Sequence, residues 1–184
     1  MTTMSAHNPL VSSVSAFFPC YNDAMSIGKM VRDVRESLVE AVSDFEIIVV
    51  NDGSSDNSLQ VLQELQREIS ELRIVNHEVN RGYGGALLSG IAASTKQWVF
   101  YTDGDAQYDA REISRCIDAV TESSDIIQGF KIGRGDPFHR RLIGRVYHHA
   151  VRLLFRLPVR DTDCDFRLMR KSILDKLRLQ STTG

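Results

Sequence analysis

Short apolar runs alternate with longer segments of helical periodicity along most of the chain, and this alternation limits the fold more than any single residue does. Val14 to Phe18 is an apolar run stopped by Pro19. Ile27, Met30, Val31, Val34, Leu38 and Val42 then recur at helical spacing. Phe45 to Val50 is again continuous and apolar, followed by Leu59, Leu62, Leu65 and Ile69 on one helical face. The pattern repeats with a strand at Leu72 to Asn76, a helix at Ala86 to Ala93 and a strand at Gln97 to Thr102. A helix from about Ala110 to Val120 and a strand at Asp125 to Gly129 complete it. Strands that are apolar throughout are buried on both faces, so the expected fold class is α/β, a mostly parallel central sheet with helices on both faces. The chain of 184 residues suits one domain, expected over residues 13–184 behind a flexible N-terminus of residues 1–12.

The strand at Gln97 to Thr102 runs into Asp103-Gly-Asp-Ala-Gln107. In an open α/β sheet, ligands bind beyond the carboxyl ends of the strands. Asp103 and Asp105 are two residues apart, so in an extended chain they point the same way. Two crowded carboxylates repel, and a divalent cation removes that cost. Asp103, Asp105 and Gln107 offer hard oxygen ligands of the kind that Mg²⁺ or Mn²⁺ takes. An ordinary Asp-Gly turn after a strand is the competing reading.

Four loops fall at strand ends: Pro19 to Asp23, Asn51 to Asp56, Asp103 to Gln107 and Gly129 to Arg134. In a parallel sheet all four gather on one edge, which points to a site more strongly than any one motif. Asp52 follows the second strand, where acids of doubly wound folds hold a ribose or a base; capping a turn is its alternative. Asn80-Arg-Gly-Tyr-Gly-Gly85 reads as a glycine-rich loop opening a helix, which suits phosphate or close packing equally. It is no Walker loop, because no Gly-Lys-Ser/Thr follows.

His139 to Arg160 contains no acid. Arg141, Arg145, His148, Arg152 and Arg156 form one stripe of a helical wheel, opposite Ile143, Val146, Tyr147, Leu153 and Leu154. Such an amphipathic helix can lie on an anionic membrane or bind phosphates; it can also be a core helix with a solvated arginine face. His148 and His149 are adjacent and diverge on a helix, which argues against a metal pair. Asp161-Thr-Asp-Cys-Asp-Phe-Arg167 follows, able to supply a base or a charge clamp, or simply a solvated loop. A net charge of −2 argues against nucleic-acid binding. Cys20, Cys116 and Cys164 are far apart in sequence, as expected of reduced thiols in a cytosolic setting. No leader-like start is present, and no apolar run reaches the roughly 18 residues of a membrane span.

Five segments together resemble the family 2 glycosyltransferases of GT-A fold. They are Phe18-Pro-Cys-Tyr-Asn-Asp23, Val50-Asn-Asp-Gly-Ser-Ser-Asp-Asn57, Asn80-Arg-Gly-Tyr-Gly-Gly-Ala86, Asp103-Gly-Asp-Ala-Gln107 and Asp161-Thr-Asp-Cys-Asp-Phe-Arg167. The resemblance is greatest to the branch holding dolichyl-phosphate mannose synthase and the bacterial polyprenyl-phosphate sugar transferases. It implies a Rossmann-like domain that binds a nucleotide-diphosphate sugar. Pro19, Tyr21, Asn22 and Asp52 would hold the nucleoside, Gly82 would approach the donor, and Asp103, Asp105 and Gln107 would carry Mg²⁺ or Mn²⁺ on the diphosphate. The implied acceptor is a polyprenyl phosphate attacking the anomeric carbon with inversion. Lys131, Arg134 and Arg140 would meet its phosphate, with Asp161 assisting. The basic helix, residues 138–157, would touch the membrane, making the protein cytoplasmic and peripheral at the inner face.

Lys131 and Gly144 stand where relatives often carry arginine and serine, and Asp163 and Asp165 replace a polar residue and a glycine. These departures bear on the acceptor more than the donor. Relatives continue beyond the last motif, often into membrane helices. A fragment, a short form and the partner of a membrane protein are therefore all open readings. Two rival functions also stand: transfer to a sugar or other hydroxyl, and a nucleotide-sugar binding module without turnover.

Overall fold

The computed structural model describes residues 8–103, 109–130 and 164–177. Six strands form one sheet in the order β3-β2-β1-β4-β6-β5. β1 (Ser13–Cys20), β2 (Asp44–Asp52), β3 (Leu72–His77) and β4 (Trp98–Tyr101) are mutually parallel where they pair. β6 (Arg167–Arg170) runs antiparallel to both of its neighbours, β4 and β5 (Ile126–Gln128). The sequence signals only a return to the core at Phe166, Leu168 and Met169. The structure makes this return a strand, inserted between β4 and β5.

Helices cover both faces, as the alternation predicts. On one side α1 (Ile27–Ala41), α2 (Ser58–Glu68) and α4 (Ile113–Asp118) pack over Val14, Phe18, Ile47, Val49 and Phe100. The apolar positions read from the sequence of α1 are its buried ones: Ile27, Met30, Val31, Val34 and Leu38. Val42 sits just past the helix and closes it by donating its N–H to the Leu38 carbonyl. On the other side α3 (Gly82–Ala93) and the short α5 (Lys171–Leu174) cover Phe17, Ile48, Val50, Val99 and Tyr101. α3 lies close to the sheet because Gly90 faces the Phe17 ring; a Cβ there would stand 2.2 Å from the ring.

Several boundaries differ from expectation. Asn51 and Asp52, expected in a turn, are the last two residues of β2. Gly82 to Gly85, expected as loop, form the first turn of α3. Glycine is a poor helix former, but here the buried Gly85 and Gly90 belong to a helix fixed by packing on the sheet. The chain expected to be loose up to residue 12 is tied down from Asn8, whose amide donates to the Ile117 and Val120 carbonyls, and Val11 is buried.

Candidate functional site

Because β1 to β4 are parallel, their carboxyl ends share one edge, and β5, twice reversed through β6, ends on it too. The expected gathering of strand-end loops is therefore met over the described residues. A cleft of about 320 Å³ opens there, within the roughly 300–1,000 Å³ of small-molecule sites. Pro19, Cys20, Tyr21 and Asp23 line it from the end of β1. Asp52, Asn80, Tyr83 and Asp103 line it from the ends of β2, β3 and β4 and the start of α3.

Asp52 is fixed from two sides. β2 and β3 pair in register, Asp52 against His77. The His77 Nδ1 lies 2.6 Å from Asp52 Oδ1, and the Arg81 backbone N–H donates to the same oxygen at 2.8 Å. His77 Nε2 lies 2.9 Å from Ser89 Oγ on α3. The Asp52 and His77 side chains are 5% and 3% exposed. Asp52 is thus no local turn cap, since its partners lie far along the chain. Asn51, its neighbour, donates instead to Asn76 Oδ1 across the β2–β3 pair.

Asp103 directly follows the Thr102 that continues β4, and Tyr83 donates its phenol to Asp103 Oδ1 at 2.6 Å. Burial, and then the bond to Asp103, drive the Tyr83 phenol above its ordinary range, so it remains a donor. Burial likewise pushes Tyr101 up to about 12; the Arg167 guanidinium opposes this, while Asp165 and Asp103 add to it. β6, pairing Arg167 with Tyr101, therefore brings Asp165 and Arg167 next to Tyr101.

Asn22 does not line the cleft. It adopts φ +57°, and its Oδ1 accepts from Ser55 N–H at 2.8 Å and from Asp56 N–H at 3.3 Å. Its own N–H donates to Ser54 Oγ. The side chain clamps the β1 loop to the β2 loop. Gly53 completes that join: at φ +68°, with the Asn80 nitrogen 2.5 Å from a would-be Cβ, only glycine fits. Gly82 starts α3 at φ +76° with its N–H taken by Asn80 Oδ1, and it does not line the cleft. Asp105, Gln107, Lys131, Arg134, Arg140 and Asp161 lie outside the described residues, as do Asp163, His148, His149 and the basic segment 138–157.

The structure adds Tyr83 and His77 to the residues read from sequence. Tyr83 sits inside the glycine-rich motif Gly82-Tyr-Gly-Gly85, whose glycines carry the sequence signal. His77 could have been found from strand register alone, as the residue aligned with Asp52.

The pattern of glycosyl transferase family 2 matches residues 15–178. The chain belongs to glycosyl transferase family 2. This family 2 chain is 30% identical over 169 residues to the undecaprenyl-phosphate 4-deoxy-4-formamido-L-arabinose transferase of Pseudomonas aeruginosa (strain LESB58), covering 91% of this chain and 50% of that protein. It thus spans about half the length of the curated relatives it matches. Among solved structures it is similar to the mannosyltransferase of Pyrobaculum calidifontis in complex with GDP-Man and Mn²⁺, at TM-score 0.70 and 17% identity, covering 98% of this chain and 50% of that one. It is also similar to glucosyl-3-phosphoglycerate synthase of Mycobacterium tuberculosis in complex with Mn²⁺, UDP and glucosyl-3-phosphoglycerate. There the TM-score is 0.71 and the identity 19%, over 92% of this chain and 61% of that one. These likenesses establish the GT-A fold.

Proposed function

We propose that this family 2 chain binds a nucleotide-diphosphate sugar in the cleft and transfers the sugar, with inversion, to a polyprenyl phosphate. One observation carries the reading: two acids from different strand ends, Asp52 and Asp103, share a single cleft at the carboxyl edge. Pro19 and Tyr21 flank the nucleoside, and Asp52 accepts a hydrogen bond from it. Asn22 and Gly82 act behind these residues, by shaping the β1 loop and the start of α3. The relative's name, an undecaprenyl-phosphate sugar transferase, supports the lipid phosphate acceptor; the neighbours' nucleotide and Mn²⁺ support the donor.

Asp103, with Asp105 and Gln107, would hold Mg²⁺ or Mn²⁺. Asp103, the only one of the three within the described residues, fits: it is a carboxylate at the cleft, the hard donor such ions take. Asp105, Gln107 and the donor's phosphate oxygens would supply the further hard oxygen ligands such an ion takes. When bound, the ion supplies charge neutralisation for the departing diphosphate. Tyr83 keeps the Asp103 carboxylate turned to the cleft.

The acceptor phosphate is ionised near neutral pH and needs little base catalysis, so positioning dominates. Lys131, Arg134 and Arg140 orient it, and Asp161 assists. The basic segment 138–157 meets the membrane surface from the cytoplasmic side. No described helix is long and apolar enough to cross a membrane.

A donor screen with Mg²⁺ or Mn²⁺ and a short polyprenyl phosphate tests this. Labelled lipid product from the native chain, lost in Asp103→Asn, is the expected result. Donor-dependent labelling of a sugar or another hydroxyl, with Asp161→Asn inactive, would replace the lipid acceptor. Nucleotide binding without donor consumption by any acceptor would reduce the chain to a binding module.

A further inference from the structure

The donor reading leaves the nucleobase open, and the surroundings of Asp52 bear on it. A carboxylate only accepts hydrogen bonds, and each of its oxygens offers two lone-pair sites. At Asp52 both sites of Oδ1 are taken, one by the Arg81 backbone N–H at 2.8 Å and one by His77 at 2.6 Å. Since Asp52 accepts, the proton between them sits on His77 Nδ1. The imidazole cannot turn away, because its far nitrogen meets Ser89 Oγ at 2.9 Å and its side chain is 3% exposed. The Arg81 N–H is equally fixed, standing just before the first turn of α3. Asp52 lines the cleft, and within the described residues no donor reaches its other oxygen, Oδ2.

Resting on the donor reading, we infer that His77 is a positioning residue that leaves Asp52 a single free acceptor, so the cleft selects a base presenting one imino donor: uracil or thymine rather than guanine. Guanine carries two parallel donors, N1–H and N2–H, and a carboxylate matches them only with both oxygens. With Oδ1 saturated, one guanine donor would be desolvated without a partner, and an unmatched buried donor is what gives polar sites their discrimination. Uracil and thymine carry a single N3–H and leave nothing unmatched at Asp52.

Titration calorimetry of the 184-residue chain with UDP, dTDP and GDP, each with Mn²⁺, tests the inference. The expected result is UDP and dTDP binding with similar affinity, and GDP weaker by about tenfold or more. His77→Ala frees a lone pair on Oδ1 and should shrink the UDP-to-GDP ratio. His77→Asn, whose amide can donate from near the Nδ1 position, should restore it. A merely structural role for His77 would weaken all three ligands alike and leave the ratio unchanged, overturning the inference. Equal binding of UDP and GDP by the native chain would also overturn it, by placing Asp52 on the ribose. That second outcome needs no variant to fold and leaves the donor reading standing. Absence of binding to all three would overturn the donor reading and this inference together.

Discussion

Tyr83 donates its phenol to Asp103 across 2.6 Å, joining the first turn of α3 to the end of β4. A hydrogen bond to a charged group contributes about 1.5–3 kcal/mol, less here because Tyr83 is 40% exposed. Tyr83→Phe is therefore expected to weaken Mn²⁺-dependent donor binding by about tenfold, with little change in thermal stability. Calorimetry with and without chelator measures this. A donor affinity that stays at the native value would mean that Asp103 needs no orienting partner.

Gly90 meets the face of Phe17, which is fully buried and stacked on Tyr101 at a centroid distance of 5.5 Å. Gly90→Ala gains about 1 kcal/mol of helix propensity. It also places a methyl carbon 2.2 Å from a ring that has nowhere to go. Overpacking of this kind costs about 1–3 kcal/mol, so the net effect is destabilising, with α3 lifted from the sheet. Urea unfolding reads it as a lower midpoint; a raised midpoint would show that helix propensity dominates.

Glu46 is buried at the far edge of the sheet, where Ser15 Oγ, the Thr95 N–H and hydroxyl, and Arg73 all donate to its carboxylate. Burial by itself would raise its pKa, but these hydrogen bonds together outweigh burial and hold it below the usual 4.5. The folded value is depressed, so the unfolded chain takes up the proton first. The stabilisation is complete above about pH 4.5 and fades as pH falls through the folded value. Glu46→Gln should lose stability at neutral pH and show a flatter acid limb. Denaturant titrations at several pH values compare the two slopes, and parallel slopes would refute the assignment.

Burial pushes the thiols of Cys20 and Cys116 up to about 11. The thiolate is the reactive form, so both should alkylate slowly in native buffer and quickly in denaturant. Mass spectrometry after timed iodoacetamide treatment gives the ratio. Rapid native labelling of Cys20, which lines the cleft, would show that its thiol is not suppressed.

Local pattern was enough to read β1 to β4, the buried stripe of α1 and the edge on which Asp52 and Asp103 meet. What it missed depends on contacts between distant residues. β6 is four residues bounded by Arg167 and Arg170, and nothing in its own pattern states that it runs antiparallel. Gly82 to Gly85 look like loop because glycine disfavours helix, and only the packing of α3 on Phe17 and Val50 overrides that preference. The clamp that Asn22 Oδ1 makes on the Ser55 and Asp56 N–H groups likewise joins loops more than thirty residues apart, which no local pattern announces. The partner of His77 is 25 residues away, a pairing that emerges only once β2 and β3 are aligned.

The reversal of β6 has a consequence for how such a protein can diversify. Gly129, leaving β5, donates to the carbonyl of Phe166, entering β6, at 2.9 Å. The two ends of the stretch between them are therefore stapled together at the β5–β6 pair. Evolution can lengthen, recharge or replace the sequence between those two ends while the six strands keep their register.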